Sequence, residues 1–243
     1  MNGLWHLRSY AVMVVLVLSA GVAQAQTSPW SVSFDLGAQV AMSGDLHGGA
    51  TGSVIGLQTV VEPRSYGDVY GTGFYWAAAL GYRLGQTGEL RIQGNYTNNP
   101  AERVQVGTVA GLELSSLFDD YNAFGMDFGY RQYFSASRVR PFLGVGVGFV
   151  RLAEIDAELS VPAAGVTFPQ VSFLESSVVP AFGINGGMQV QISERFSVQG
   201  GIDFRWHGDA EDSDGLPGTG LESINDESRR WAMPITGGLT VRF

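Results

Sequence analysis

The stretch that decides the fold is "RRWAMPITGGLTVRF", residues Arg229 to Phe243. Read in steps of two, Trp231, Met233, Ile235, Gly237, Leu239, Val241 and Phe243 form one apolar row, while Arg230, Ala232, Pro234, Thr236, Gly238, Thr240 and Arg242 form the other. A period of two marks a β-strand with two unlike faces. Both ends of the apolar row are aromatic. Twelve residue steps at roughly 3.3 Å each, tilted near 45°, separate Trp231 from Phe243 by about 28 Å along a membrane normal. That is close to the roughly 25 Å apolar band between the aromatic girdles of a membrane barrel.

Seven earlier segments repeat the pattern. Trp30 to Ser43 sets Phe34, Leu36 and Ala38 against Ser33, Asp35 and Gly37, and Gly71 to Leu84 sets Phe74, Trp76 and Leu80 against Tyr75, Gly81 and Arg83. Glu89 to Thr97 places Glu89, Arg91 and Gln93 on its polar row, Tyr121 to Phe134 places Asp127 and Arg131 there, and Val139 to Arg151 places Arg140 with Gly144, Gly146 and Gly148. Val178 to Ile192 and Arg195 to His207 complete the series, the latter with Asp203 and Arg205 opposite Ile202, Phe204 and Trp206. The connections alternate strictly between long and short, starting with a long one from Gly44 to Tyr70 and a short one from Gly85 to Gly88. Short turns at one end, long loops at the other and an even strand count are the organisation of an up-and-down membrane barrel.

Composition narrows the function. The 243 residues with 34 Gly and 12% aromatics suit one large β domain. No cysteine is present, which removes disulfides, thiolate catalysis and thiolate-bound zinc, and all 14 cations are arginine, which removes Schiff-base and Walker-lysine chemistry. The net charge of −9 argues against nucleic acid as a partner. Residues 1–25 read as a secretory signal: Arg8, the apolar run "AVMVVLVLSAG" from Ala11 to Gly21, then Ala23 and Ala25 before the cleavage point. The expected mature domain is 26–243, and any membrane crossing in it must be made by a closed barrel.

With this pattern in hand, the chain resembles the small eight-stranded outer-membrane barrels of Gram-negative bacteria, the opacity-protein and OmpA-like transmembrane domain group. The resemblance implies an all-β, eight-stranded antiparallel up-and-down transmembrane barrel in the outer membrane. It also implies that the terminal strand ending in Phe243 is read by the barrel assembly machinery during insertion. Trp231 and Phe243 are then expected in the outer and inner aromatic girdles.

An eight-stranded barrel is just wide enough for side chains to fill. The polar-row charges Asp35, Arg83, Glu89, Arg91, Asp127, Arg131, Arg140, Asp203 and Arg205 are therefore expected to form an ion-pair network inside the lumen, with arginine forks bridging carboxylates. "LGVGVGFVR", Leu143 to Arg151, lacks the following helix of a dinucleotide loop, and its glycines are expected to make room for side chains from facing strands. His47 and His207 are the two histidines of the mature chain, followed by "GG" and "GD", and no G-x-S-x-G or H-E-x-x-H occurs. The acidic "AEDSDG" stretch has Ala210 where a calcium loop needs its first aspartate. The third long loop keeps partial alternation and is expected to extend its flanking strands outward. The expectation is thus a monomeric, non-enzymatic surface or structural protein, with no cofactor or metal. Its partners are outer-membrane lipid and lipopolysaccharide, and its long loops face any surface ligand. A narrow porin and an envelope-lipid or peptide enzyme are the alternatives.

Overall fold

The computed structural model describes residues 28–211, 213, 218–221, 224–225 and 228–243. The expected signal segment, 1–25, lies outside the described residues. The chain starts with β1 (Trp30–Ser43), then passes through a first outer loop carrying β2 (Asp45–His47), β3 (Ala50–Val54), β4 (Leu57–Val61), β5 (Arg64–Ser65) and the one-turn helix α1 (Tyr66–Val69). It returns as β6 (Gly73–Leu84), turns tightly and rises as β7 (Gly88–Asn99). A second outer hairpin, β8 (Val104–Val109) and β9 (Leu112–Phe118), leads down into β10 (Tyr121–Tyr133). After a second tight turn come β11 (Val139–Leu152) and a third outer loop with β12 (Ile155–Val161), β13 (Val166–Thr167) and β14 (Val171–Leu174). The last passes are β15 (Val178–Gln191), β16 (Phe196–His207) and β17 (Arg230–Arg242).

Eight of these strands close into one antiparallel barrel in the order β1, β17, β16, β15, β11, β10, β7, β6. Val32 closes the ring by facing Leu80 on one side and Val241 on the other. The eight segments expected from alternation coincide with these strands to within two residues at each end.

The burial pattern is the reverse of that in a water-soluble barrel. Phe34 and Leu36 are 45% and 47% exposed, while Asp35 between them is 6% exposed. The same inversion runs along β10, where Phe124, Met126, Phe128 and Tyr130 are exposed and Arg131 is buried. Aliphatic and aromatic side chains thus point out of the barrel, and the polar row fills it.

Beyond the rim the strands do not dissolve into loops. Asn99 faces Tyr121 at the rim, and five residues farther out Val104 faces Ser116 in the same register, which slips only beyond Gln105. Ala123 faces Leu152, and Phe118 faces Ala157, again without a slip. A second sheet in the order β13, β12, β9, β8, β4, β3 therefore prolongs the barrel wall outward. The continuation extends beyond the third loop, where partial alternation signalled it, to the first and second loops as well.

The apolar core of the molecule lies in this outer extension. Leu46, Val69, Val106, Leu114, Phe118, Ile155, Leu174 and Val179 form one buried cluster with Tyr66 and Tyr121. Leu221 and Ile224 line a cavity with Val61, Leu114 and Phe118 of the extension, and Ser53 N donates to Thr219 O at 2.8 Å along the β3 edge. Pairing a sheet edge in this way removes a template for unwanted strand addition.

Candidate functional site

Two layers of polar side chains occupy the barrel axis. In the middle layer, Arg205 Nη2 lies 2.6 Å from Asp127 Oδ2, which also accepts from Asn95 Nδ2 at 2.8 Å. Asp35 accepts from Gln199 Nε2 at 2.6 Å and stands 3.9 Å from Arg91, while Arg131 donates to Gln199 Oε1 at 3.0 Å and lies 3.9 Å over the Phe142 ring. Nearer the periplasmic turns, Glu89 accepts from the hydroxyls of Ser31 at 2.9 Å and Tyr133 at 2.6 Å. Arg140 lies 4.2 Å over the Tyr133 ring and donates to the Gln86 and Ser135 carbonyls at 2.8 and 3.3 Å.

The expectation of a purely ionic network therefore needs correction. Of the nine residues, only Asp35 with Arg91 and Asp127 with Arg205 form ion pairs among the described residues. Arg140 and Glu89 meet backbone carbonyls, hydroxyls and a ring face instead, while Arg131 has one amide acceptor and one ring face and leaves its buried Nε without a partner among the described residues. Arg83 is half-buried, and its side chain makes no hydrogen bond or ion pair among the described residues. Asp203 lines the two central cavities without an ion pair among those residues. The physical reason is geometric: each charge is fixed by its strand register, and a guanidinium takes whichever acceptors the facing wall presents.

Glycines make this filling possible. A side chain at Gly81 would collide with Glu89 and Ser31, and one at Gly238 with Asp35. Of the three inward glycines on β11, Gly144 makes room for Asn185 and Gly148 for Asp127, while Gly146 stands at ordinary contact distance. The space left amounts to cavities of about 20, 40 and 10 Å³. These have room for a few waters at most.

A second closure sits at the outer mouth. Arg230 is fully buried; its Nε donates to Tyr121 Oη at 2.9 Å and its Nη1 to the Ser228 carbonyl at 3.0 Å. Its guanidinium lies 5.4 Å from the Tyr66 ring and 5.3 Å from the Tyr121 ring, and Tyr70 stacks on Tyr66 at 5.9 Å. No carboxylate approaches it within 4 Å among the described residues. Burial pushes the Tyr66 and Tyr70 phenols above their usual range, so both stay neutral and act as dipoles and ring faces. Helix α1 carries Tyr66 into place, and its turn is pinned by Asp68, whose carboxylate accepts from the Ser65 amide at 2.9 Å and hydroxyl at 2.7 Å.

His47 lies within the extension's core. It is 2% exposed, sits 6.2 Å from the Phe118 ring and 6.0 Å from the Phe173 ring, and places Nδ1 3.0 Å from the Gly48 carbonyl. Burial lowers its pKa, and nearby Arg64 pushes the same way against that hydrogen bond. A histidine whose folded pKa is depressed leaves stability intact above the ordinary imidazole value of about 6.5 and subtracts from it as pH falls below that value. Protease cleavage within the outer loops is accordingly expected to accelerate between about pH 6.5 and pH 5, and His47→Phe is expected to flatten that dependence. An unchanged pH profile in the variant would remove His47 from the explanation.

The outer surface of the barrel decides where the protein resides. Phe34, Leu80, Ile92, Phe128, Val145, Ile184, Ile202, Phe204, Ile235 and Leu239 form a continuous exposed apolar belt around a closed ring of strands. Water would not tolerate so large an apolar surface, and lipid requires it. The molecule is an eight-stranded membrane-spanning β-barrel. Trp231 faces outward, 48% exposed and paired in register with Trp206, at the outer end of the belt. At the other end the Trp30 and Tyr82 rings meet edge to face at 4.9 Å, and Phe243 N donates to the Trp30 carbonyl at 3.2 Å.

No protein-family model matches this chain, and no curated protein does. Solved structures similar to it include Neisserial surface protein A, with 15% identity over 89% of this chain and 98% of that one and a TM-score of 0.46. The outer membrane protein OprG from Pseudomonas aeruginosa is 10% identical over 90% of this chain and 97% of its own, with a TM-score of 0.49. The outer membrane protease OmpT from Escherichia coli is 7% identical over 91% of this chain and 99% of its own, with a TM-score of 0.45.

The remaining candidates separate in space. His207 is buried, with Nδ1 3.4 Å from Tyr121 Oη, whereas Asp209 pairs with Arg229 at 3.4 Å and accepts from the Ser228 amide. The two do not form a catalytic pair. Positions 212, 214 and 215 of the "AEDSDG" stretch lie outside the described residues, and no cluster of metal-ligating side chains occurs among those described. Sequence reasoning missed the Arg230 and tyrosine closure because Tyr66, Tyr70, Tyr121 and Arg230 come from three distant chain segments. Only the placement of Arg230 as the first residue of the last strand hinted at it.

Proposed function

We propose that this outer-membrane barrel is a non-enzymatic, non-conducting scaffold that presents its outer extension for surface interaction. The carrying observation is the prolongation of the barrel wall as a six-strand path with its own apolar core. The polar filling of the lumen and the Arg230 closure above it support the non-conducting half of the reading. The immediate surroundings of such a monomer are outer-membrane lipid and lipopolysaccharide.

Single-channel recording tests the reading. The folded protein in a planar bilayer is expected to give no steady openings, because two layers of side chains interrupt the axis. Reproducible open levels would replace the scaffold with a narrow porin. Removing the outer closure alone is expected to leave the bilayer silent, since the Asp127 and Asp35 layer lies beneath it.

A further inference from the structure

The extension ends in three hairpin tips side by side: Ile55 and Gly56 between β3 and β4, Ala110 and Gly111 between β8 and β9, and Pro162 to Gly165 between β12 and β13. Thr59 faces Val109, and Ser160 faces Ser115, so the three tips stand at one end of one sheet. With neighbouring strands about 4.8 Å apart, the row of six strands is about 24 Å wide.

The chemistry of the tips is unusual for turns in water. Val54 to Leu57, Val109 to Leu112 and Pro162 to Val166 contain no charged and no hydrogen-bonding side chain. Ile55 is 77% exposed, and Leu57, Leu112 and Val166 are each 43% exposed. Turns of this geometry ordinarily carry Asn or Asp at the first central position, because both central residues need positive φ. Here Ile55 and Ala110 occupy it, each at φ 49°. A β-branched residue in that conformation is strained. Retaining isoleucine there sacrifices local stability for an apolar tip, and nothing within the described chain covers it.

We propose that the three tips insert together into a membrane opposite the one that holds the barrel. This rests on the reading of the extension as an interaction surface and names its partner as a lipid bilayer. Charge complementarity favours lipid over protein: the tips themselves offer aliphatic side chains alone, and exposed polar side chains such as Gln58 and Glu113 flank them one residue back along the strands. Reach selects the opposing membrane. Ala101 pairs with Tyr70 at the rim, and nine residues later Ala110 forms a tip. That is about 30 Å along the strand, or about 21 Å of height at a tilt of 45°. The headgroup layer of a phospholipid leaflet is only about 7 Å deep.

The test uses the full protein folded in a lipid nanodisc and large phosphatidylcholine vesicles as the second membrane, with flotation as the readout. Vesicle capture is expected, with little change in high salt. Ile55→Asn with Ala110→Asn suits both turns better, so thermal stability should hold or rise. Capture should nevertheless fall at least tenfold, and Leu112→Asp should act the same way. A heat-modifiable gel shift checks that each variant is folded. Absence of capture by the unaltered protein, equal capture by the variants, or pairing of nanodiscs with one another in place of vesicles would each overturn the proposal. A silent planar bilayer would stand unaffected by any of these outcomes, so the two readings fail separately.

Discussion

Asp127→Ala is expected to lower the unfolding free energy of the barrel by about 3 to 5 kcal/mol, because it leaves Arg205 buried without its counter-charge. The pair is short at 2.6 Å, its side chains are 13% and 7% exposed, and the cavity of about 40 Å³ beside it holds too few waters to solvate a bare guanidinium as bulk solvent would. Asn95 would lose its acceptor as well. The check is the urea midpoint of refolded protein, followed by the heat-modifiable gel shift. Asp127→Leu combined with Arg205→Met should recover most of the loss, since removing both partners also removes the buried unpaired charge. Arg83→Ala is the internal control: the side chain is half-buried and unbonded among the described residues, so a change within about 0.5 kcal/mol is expected. A midpoint unchanged by Asp127→Ala would mean that the lumen is wet enough to screen Arg205.

The contrast between Asp127 and Arg83 shows what alternation could and could not reveal. Every charge on the polar row was assignable to the lumen from the period of two, because a one-residue slip would have turned it into lipid. Partnership was not assignable, since it depends on the register of strands that lie far apart along the chain. Gln199 illustrates this: an uncharged residue, it joins Arg131 to Asp35 across 68 and 164 positions. The outer sheet was legible only where alternation persisted, in Ile155 to Val161. The hairpins β3–β4 and β8–β9 were hidden because Ile55 and Ala110 stand where turn chemistry normally advertises itself with Asn or Asp. The core's location was hidden for a related reason. Apolar residues of the barrel dominate the composition, yet they face lipid, and the smaller set in the loops does the packing.

The second large effect is expected at Tyr121, where the barrel and its extension are joined. The side chain is 1% exposed, touches Tyr66 and Tyr70 edge to face at 6.2 and 5.9 Å, and accepts the Arg230 hydrogen bond. Tyr121→Ala removes a buried ring and should cost about 3 to 5 kcal/mol. Tyr121→Phe keeps the ring and deprives a fully buried guanidinium of one of its two bonded acceptors, for about 1.5 to 3 kcal/mol. The two losses should appear in different places from that of Asp127→Ala. The extension contains most of the apolar core, which meets the barrel rim through Ala123, Val150, Val179 and Ala181 and through this tyrosine cluster, above the polar lumen layers. Limited proteolysis should therefore cut the outer loops of Tyr121→Ala at rates that leave the membrane-embedded strands protected and the gel shift intact. If instead the barrel and the loops lose protection together, the two sheets unfold as one cooperative unit, and the Arg230 cluster is a keystone of the barrel itself rather than a hinge for its extension.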